Sequence, residues 1–417
     1  MRKVLFLILT SFLWSACSDN DEPKKKIPVE SSEITLLAYF IANASNIEDD
    51  IWTNIAAMYD GLTLMQQSAT LLIYWDGSGS YGTWSNPVIL RYETDGKGNI
   101  NGQKPLPESA LVEDVVAQAE VIKEYPSQLS TDKNVMTRIL KDMIGFSPTS
   151  RVGLIAASHG SAWTNSIFTS RGLSRSFGQD GKGTDNTMLI EDMADAIQDT
   201  GKNFDFLMFD ACFMGTIEVL YELSYTTDYF ITSVMEVPAY GFPYENSISY
   251  LYEGNVDGYK KICSSYIDFY KERYSIGNQA WGTISLIDSK GIVPLTNLIK
   301  QEIQNHKDIL SDYDPYELQE YGREGGADIA YDLREFIEDL NKGTIPNDFS
   351  NQLNETVLYK GCLTEARPAN YAVDAENYCG LGIYIPVSSR TDWNDYFKTI
   401  DWFSASGWNE VTFAWNF

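Results

Sequence analysis

Histidine is almost missing from this chain: His159 and His306 are the only two in 417 residues. With so few imidazoles, and five cysteines that never fall at Cys-x-x-Cys spacing, a conventional zinc centre lacks its ligands. Basic residues are scarce as well, 31 Lys plus Arg against 58 Asp plus Glu, for a formal charge of −27. A field of that sign repels phosphate backbones and anionic membrane surfaces, so nucleic acid is excluded as a partner. It draws cationic groups inward and favours Lys- or Arg-bearing substrates, although acidity also serves solubility. No 20- to 50-residue repeat and no EF-hand spacing occurs. Core material is abundant, with 44% hydrophobic and 13% aromatic residues, which excludes disorder. The length allows two or three domains plus a leader.

The leader is Met1-Arg2-Lys3 followed by the mostly apolar run Val4 to Trp14, suited to a signal peptide and too short to span a bilayer. Ser15-Ala16-Cys17 resembles a bacterial lipobox, so residues 1–17 are expected to be a lipoprotein signal peptide with Cys17 acylated. Residues 18–33, including Lys24-Lys25-Lys26, have little to bury and read as a tether. No later segment offers some eighteen uninterrupted apolar residues, so lipid is the expected membrane attachment. The expected location is the cell envelope, at the outer membrane facing periplasm or cell surface. Cys212, Cys263, Cys362 and Cys379 remain. They are widely spaced and suggest no disulfide framework.

Ile34 to Ala42 and Leu71 to Trp75 are apolar runs bounded by turn chemistry and read as buried strands. Between them Ile51, Ile55, Met58, Leu62 and Met65 recur at helical spacing. The pattern continues with a helix at Val135 to Met143, a strand at Val152 to Ala157, a helix at Met188 to Ile197 and a strand at Phe204 to Phe209. Such alternation predicts an α/β fold, a mostly parallel sheet with helices on both faces, over residues 34–288. Residues 289–417 read as an α-rich region completing the fold, with helices near 292–310 and 331–340 and a strand near 381–386.

Two strand ends carry chemistry. One apolar block ends at Ser158-His159-Gly160 and the other at Asp210-Ala211-Cys212. Active sites of open α/β sheets lie just beyond the carboxyl ends of strands. A cysteine nucleophile needs a base, backbone donors for the developing oxyanion and an exposed position, and adjacent parallel strands here would supply all three. His159 alone is commonly a surface or capping residue, and a lone Cys commonly a small hydrophobe. The joint pattern argues for catalysis, with Gly160 and Cys212 amides as the oxyanion hole.

The sequence resembles the clostripain-like cysteine peptidases, relatives of caspases, legumains and gingipains. The resemblance is carried by Ile34 to Met58, His159-Gly160-Ser161-Ala162-Trp163, Phe177-Gly178-Gln179-Asp180, Leu189 to Met193 and Phe209-Asp210-Ala211-Cys212-Phe213-Met214. Later blocks are Glu236 to Phe242, Tyr331-Asp332-Leu333 and Gly380 to Pro386. Ala162, Ala239 and Phe242 stand where the family pattern leads us to expect glycine, glycine and tryptophan. The resemblance implies a caspase-like fold and an endopeptidase using His159 as base and Cys212 as nucleophile through an acyl-enzyme. It implies that Asp210 receives an Arg or Lys side chain, Arg first because a guanidinium pairs with a carboxylate through two hydrogen bonds. Glu236 is a weaker candidate for the same pocket.

Several lines of the family cut themselves after the histidine strand, where this chain carries Arg171, Arg175 and Lys182 in Gly- and Ser-rich surroundings. No cofactor is required and no metal residue is assigned. Some relatives need calcium, and acidic loops such as Asp180 to Asp185 offer oxygen ligands. Two other readings compete. With 26 Tyr and 10 Trp, the chain has material for a non-catalytic glycan- or peptide-binding surface lipoprotein. Its departures at Ala162 and Ala239 are consistent with an inactive peptidase homologue.

Overall fold

A computed structural model describes residues 31–43, 47–79, 84–107, 109–164, 177–181, 186–277, 279–322 and 330–415. Its strands are β1 (Ile34–Ile41), β2 (Ser68–Asp76), β3 (Val88–Asp95), β4 (Glu120–Glu124), β5 (Arg151–Ala157), β6 (Phe204–Asp210), β7 (Thr227–Thr232), β8 (Thr283–Asp288), β9 (Glu320–Tyr321), β10 (Ala330–Asp332), β11 (Val357–Cys362) and β12 (Gly382–Ile383). The helices used below are α1 (Glu48–Thr63), α2 (Val112–Val116), α3 (Lys133–Phe146), α4 (Ile190–Gln198), α5 (Ile217–Leu223), α6 (Tyr244–Leu251), α7 (Val256–Ile276), α8 (Ile292–Leu310) and α9 (Leu333–Leu340).

Nine strands form one sheet in the order β11-β8-β7-β6-β5-β1-β2-β3-β4. The central five, β7-β6-β5-β1-β2, are mutually parallel. Burial explains why β1 lies among them: all eight of its residues are inside, as a strand covered on both faces requires. Its side chains alternate between two cores. Leu37, Tyr39 and Ile41 pack under α3, α4, α5 and α8, while Ile34, Leu36, Ala38 and Phe40 pack under α1, α6 and α7. On the second face α1 and α6 approach closely. A Cβ at Gly61 would sit 2.6 Å from the Tyr244 carbonyl oxygen, so a larger residue there would force the helices apart.

The expected caspase-like α/β architecture is present, and each strand and helix anticipated from β1 to β6 occurs within a few residues. Antiparallel strands at both ends of the sheet were not anticipated: β3 and β4 beyond β2, and β8 and β11 beyond β7. β3 and β4 carry Arg91, Glu93, Glu120 and Lys123, so their apolar pattern is diluted by the charges that suit a sheet edge. β11 lies beyond residue 288 yet hydrogen-bonds to β8, so the carboxyl-terminal region contributes directly to the main sheet. A second small sheet, β12-β10-β9, lies in that region. Gly382 N–H donates to the Gly215 carbonyl at 3.1 Å, bringing this sheet against the turn after β6. Among the described residues no helix is long and apolar enough to cross a membrane. Cys212, Cys263, Cys362 and Cys379 are free thiols.

Candidate active site

The register of two neighbouring strands builds the site. β5 and β6 are parallel, with Ala157 opposite Asp210, so two more residues along each strand lead to His159 and Cys212. Both line one cleft with Asp210, Ser158 and Ala211. Cys212 Sγ also lies 3.8 Å from the Val237 carbonyl, in the loop that forms the facing wall. A Cβ built on Gly160 would fall 2.3 Å from the Cys212 carbonyl oxygen and 2.9 Å from its amide nitrogen. Only glycine allows these two backbones to touch.

The histidine segment is held on both sides. Ser158 Oγ donates to the Ile41 carbonyl at 2.8 Å, and Gly178 N–H donates to the His159 carbonyl at 2.9 Å. The segment around Cys212 is strained. Phe213 has φ of +63°, a region costly for a residue with a bulky Cβ, and its N–H is tied to the Met235 carbonyl at 3.1 Å. Ala162 has φ of +57°, which explains the glycine expected there; the alanine costs roughly 1 kcal/mol and leaves the fold intact. Ala239 lines the cleft, while Phe242 is buried against Tyr244 and Tyr266.

Asp210 closes the inner end of β6. Its Oδ2 accepts from Tyr244 Oη at 3.0 Å and Asn54 Nδ2 at 3.4 Å, and the carboxylate also accepts the Phe242 N–H. Burial pushes its pKa up to about 6 against these donors, and the charge of Asp50 adds to the rise. Asn54 and Asp50, both on α1, went unnoticed in the sequence. The one available signal was their spacing, one helical turn apart at the start of a helix that follows a sheet strand.

Other expected site residues fall elsewhere. Glu236 does not line the cleft. Its carboxylate accepts from Tyr371 Oη, and its carbonyl from Trp281 Nε1 at 3.1 Å, so the loop turns this acid toward the carboxyl-terminal region. Asp180 does not belong to a solvated loop. It is buried, accepting from Ser130 N–H at 2.6 Å and Asn43 Nδ2 at 3.0 Å, beside Asp76. Residues 182–185 of that loop, with Arg171, Arg175, Lys182 and Cys17, lie outside the described residues. No cluster suited to a metal ion occurs among the described residues. His306 lies on α8 beside Glu302 and Asn341.

A thiol and an imidazole at the carboxyl edge of a caspase-like sheet define a cysteine peptidase. The clostripain family profile matches residues 39–415, and the chain belongs to that family. Solved structures with the same fold include a secreted C11 cysteine protease from Bacteroides thetaiotaomicron in complex with an irreversible peptide inhibitor. It is 24% identical, with a TM-score of 0.70, covering 91% of this chain and 100% of that one. An inactive zymogen C11 protease from Parabacteroides distasonis is 23% identical at a TM-score of 0.69, covering 90% and 98%. A B. fragilis cysteine protease is 26% identical at a TM-score of 0.50, covering 58% and 100%. No curated protein sequence matches significantly.

Proposed function

We propose that this cysteine peptidase is an envelope-anchored endopeptidase that cuts after Arg or Lys, with Cys212 as nucleophile and His159 as base. The observation that carries the reading is the β5–β6 register, which supports a side-by-side thiol and imidazole with an acidic pocket at the same strand end. In the first step the Cys212 proton passes to His159, and the thiolate attacks the scissile carbonyl carbon. The oxyanion that forms is held by the Gly160 and Cys212 amides, each such donor being worth about 3 kcal/mol. Collapse breaks the C–N bond, His159 gives its proton to the departing amine, and the acyl group stays on sulfur. Water then loses a proton to His159, attacks the thioester, and Cys212 leaves.

Asp210 receives the basic side chain. Its raised pKa fits a carboxylate in an apolar surround whose charged form gains from an entering cation. The same specificity makes Arg171, Arg175 and Lys182 the sites of self-cleavage, while the leader that ends at Ser15-Ala16-Cys17 makes Cys17 the site of lipid attachment. Purified protein offered amides of Arg, Lys and Glu should hydrolyse the first two and be silenced by iodoacetamide. Equal turnover of the Glu amide would end the basic-residue reading. Intact mass should fall on incubation of wild type and stay constant for Cys212→Ala; equal masses would remove self-processing. Palmitate labelling should vanish in Cys17→Ser.

A further inference from the structure

The cleft has one wall that this reaction does not use, the first turn of α1. Asp50 and Asn54 both line it, a helical turn apart on one face, with Ile47 and Ile51 beside them. Asn54 donates to Asp210. Asp50 has no hydrogen bond or ion pair among the described residues, and no Lys or Arg lines the cleft. Two carboxylates therefore face one cavity, and no Lys or Arg among the described residues lines it.

Acceptor counting shows what is missing. A carboxylate offers about four lone-pair sites. Asp210 gives up three of them, to Tyr244, Asn54 and the Phe242 amide. About one remains, too few for the paired hydrogen bonds that a guanidinium makes with a free carboxylate. An arginine side chain presents five N–H donors, and leaving them unpaired in a desolvated cleft is costly.

We infer that Asp50 is a second specificity-determining carboxylate, sharing the substrate's cation with Asp210. The inference rests on the basic-residue reading above and adds the residue that completes the pocket. The groups that enter the electrostatics of Asp210 are Asp50 on α1, Tyr244 on α6, and Tyr266 and Tyr270 on α7, and His159 and Cys212 line the same cleft. Asp50 is the nearby acid that raises the Asp210 pKa. The alternative role for Asp50 is to complement the dipole of α1, whose first turn also holds Glu48 and Asp49. Asp49 is exposed and does not line the cleft, so it separates the two roles.

The test compares wild type, Asp50→Asn, Asp49→Asn and Asp210→Asn in the full chain. Each is assayed on peptide amides ending in Arg and in citrulline, its neutral isostere, from acid to neutral pH. Asp50→Asn should lower kcat/KM for the Arg amide about tenfold, mainly through KM, and lower the Arg-to-citrulline ratio with it. Its acid limb should move to lower pH, because Asp210 loses a repelling neighbour. Asp49→Asn should change neither. An Arg preference that needs Asp210 but survives Asp50→Asn within twofold, with an unmoved acid limb, overturns the Asp50 assignment alone. A wild type that takes Arg and citrulline equally overturns it together with the basic-residue reading. Circular dichroism and the melting temperature report folding of every variant.

Discussion

Two groups of buried carboxylates stand at the same edge of one sheet, and they differ in what faces them. Asp76 ends β2 and is paired with Asp180. Ser130 Oγ donates to Asp76, while Ser130 N–H and Asn43 Nδ2 donate to Asp180, and burial together with the neighbouring Asp180 raises the Asp76 pKa to about 7. Asp210 ends β6 and faces the cleft of His159 and Cys212 together with Asp50, which has no ion pair among the described residues. Both groups are pushed up by burial first and by a neighbouring acid as well. The difference lies in access. The first pair is closed by protein donors from Ser130 and Asn43, so it anchors the segment after the histidine loop. The second opens onto the cleft, where in our proposal a substrate cation completes it. A raised carboxylate pKa alone would have flagged both as functional.

The largest expected break in this comparison is Cys212→Ala. Loss of the nucleophile should cost roughly 10⁴-fold or more in kcat on Arg amides, with folding intact by circular dichroism. Next, Asp210→Asn should cost about 10²-fold in kcat/KM on Arg while sparing a citrulline amide, as measured by initial rates. Its effect on stability runs the other way. The folded pKa of Asp210 is about 6, above the ordinary 3.8, so its favourable contribution is complete below pH 3.8 and is lost as pH rises through 6. A shift of this size corresponds to about 3 kcal/mol, so Asp210→Asn should melt higher than wild type at pH 8. For the same reason, kcat/KM for Arg amides should climb with pH through about 6, where Asp210 gains its charge.

Asp180→Asn sharpens the other side. Asp76 is held up to about 7, so the pair's contribution is lost as pH rises toward that value. The variant should flatten the pH dependence of melting between pH 5 and 8 by a few degrees and leave the Arg-to-citrulline ratio unchanged. A changed ratio would mean that the sealed pair communicates with the cleft. The smallest effect concerns the other thiols. Burial pushes Cys263 and Cys379 far up and Cys362 up to about 11, so brief iodoacetamide treatment near pH 7 should modify Cys212 first by peptide mapping.

How far the sequence revealed this depends on where a residue's signal comes from. His159 and Cys212 were legible because each follows an apolar block, and the period of a buried strand fixes which end of the sheet it reaches. Asp50 and Asn54 were not, because they act across the fold on a residue at the end of β6, and their local pattern is that of any acidic first helical turn. Glu236 was misread for a related reason: sequence put it in the right loop, but the direction of its side chain depends on Tyr371, far along the chain. Asp180 was read as an oxygen ligand of an acidic loop, whereas packing buries it beside Asp76, which local sequence does not encode. The antiparallel strands β3, β4, β8 and β11 are short or charged, and their pairing is set by edges that a linear pattern does not contain. The glycine expected at Ala162 was physically sound, since that backbone does turn left-handed; alanine simply bears the strain.

The most direct test of the central claim is covalent. Full-length protein is treated with an Arg-directed acyloxymethyl ketone and, in parallel, with a Glu-directed one, and the adducts are mapped by mass spectrometry. The account predicts a single adduct on Cys212 from the Arg reagent alone, formed more slowly in Asp210→Asn and absent in His159→Ala. Equal labelling by the Glu reagent, or an adduct that settles on Cys362 instead, would contradict it.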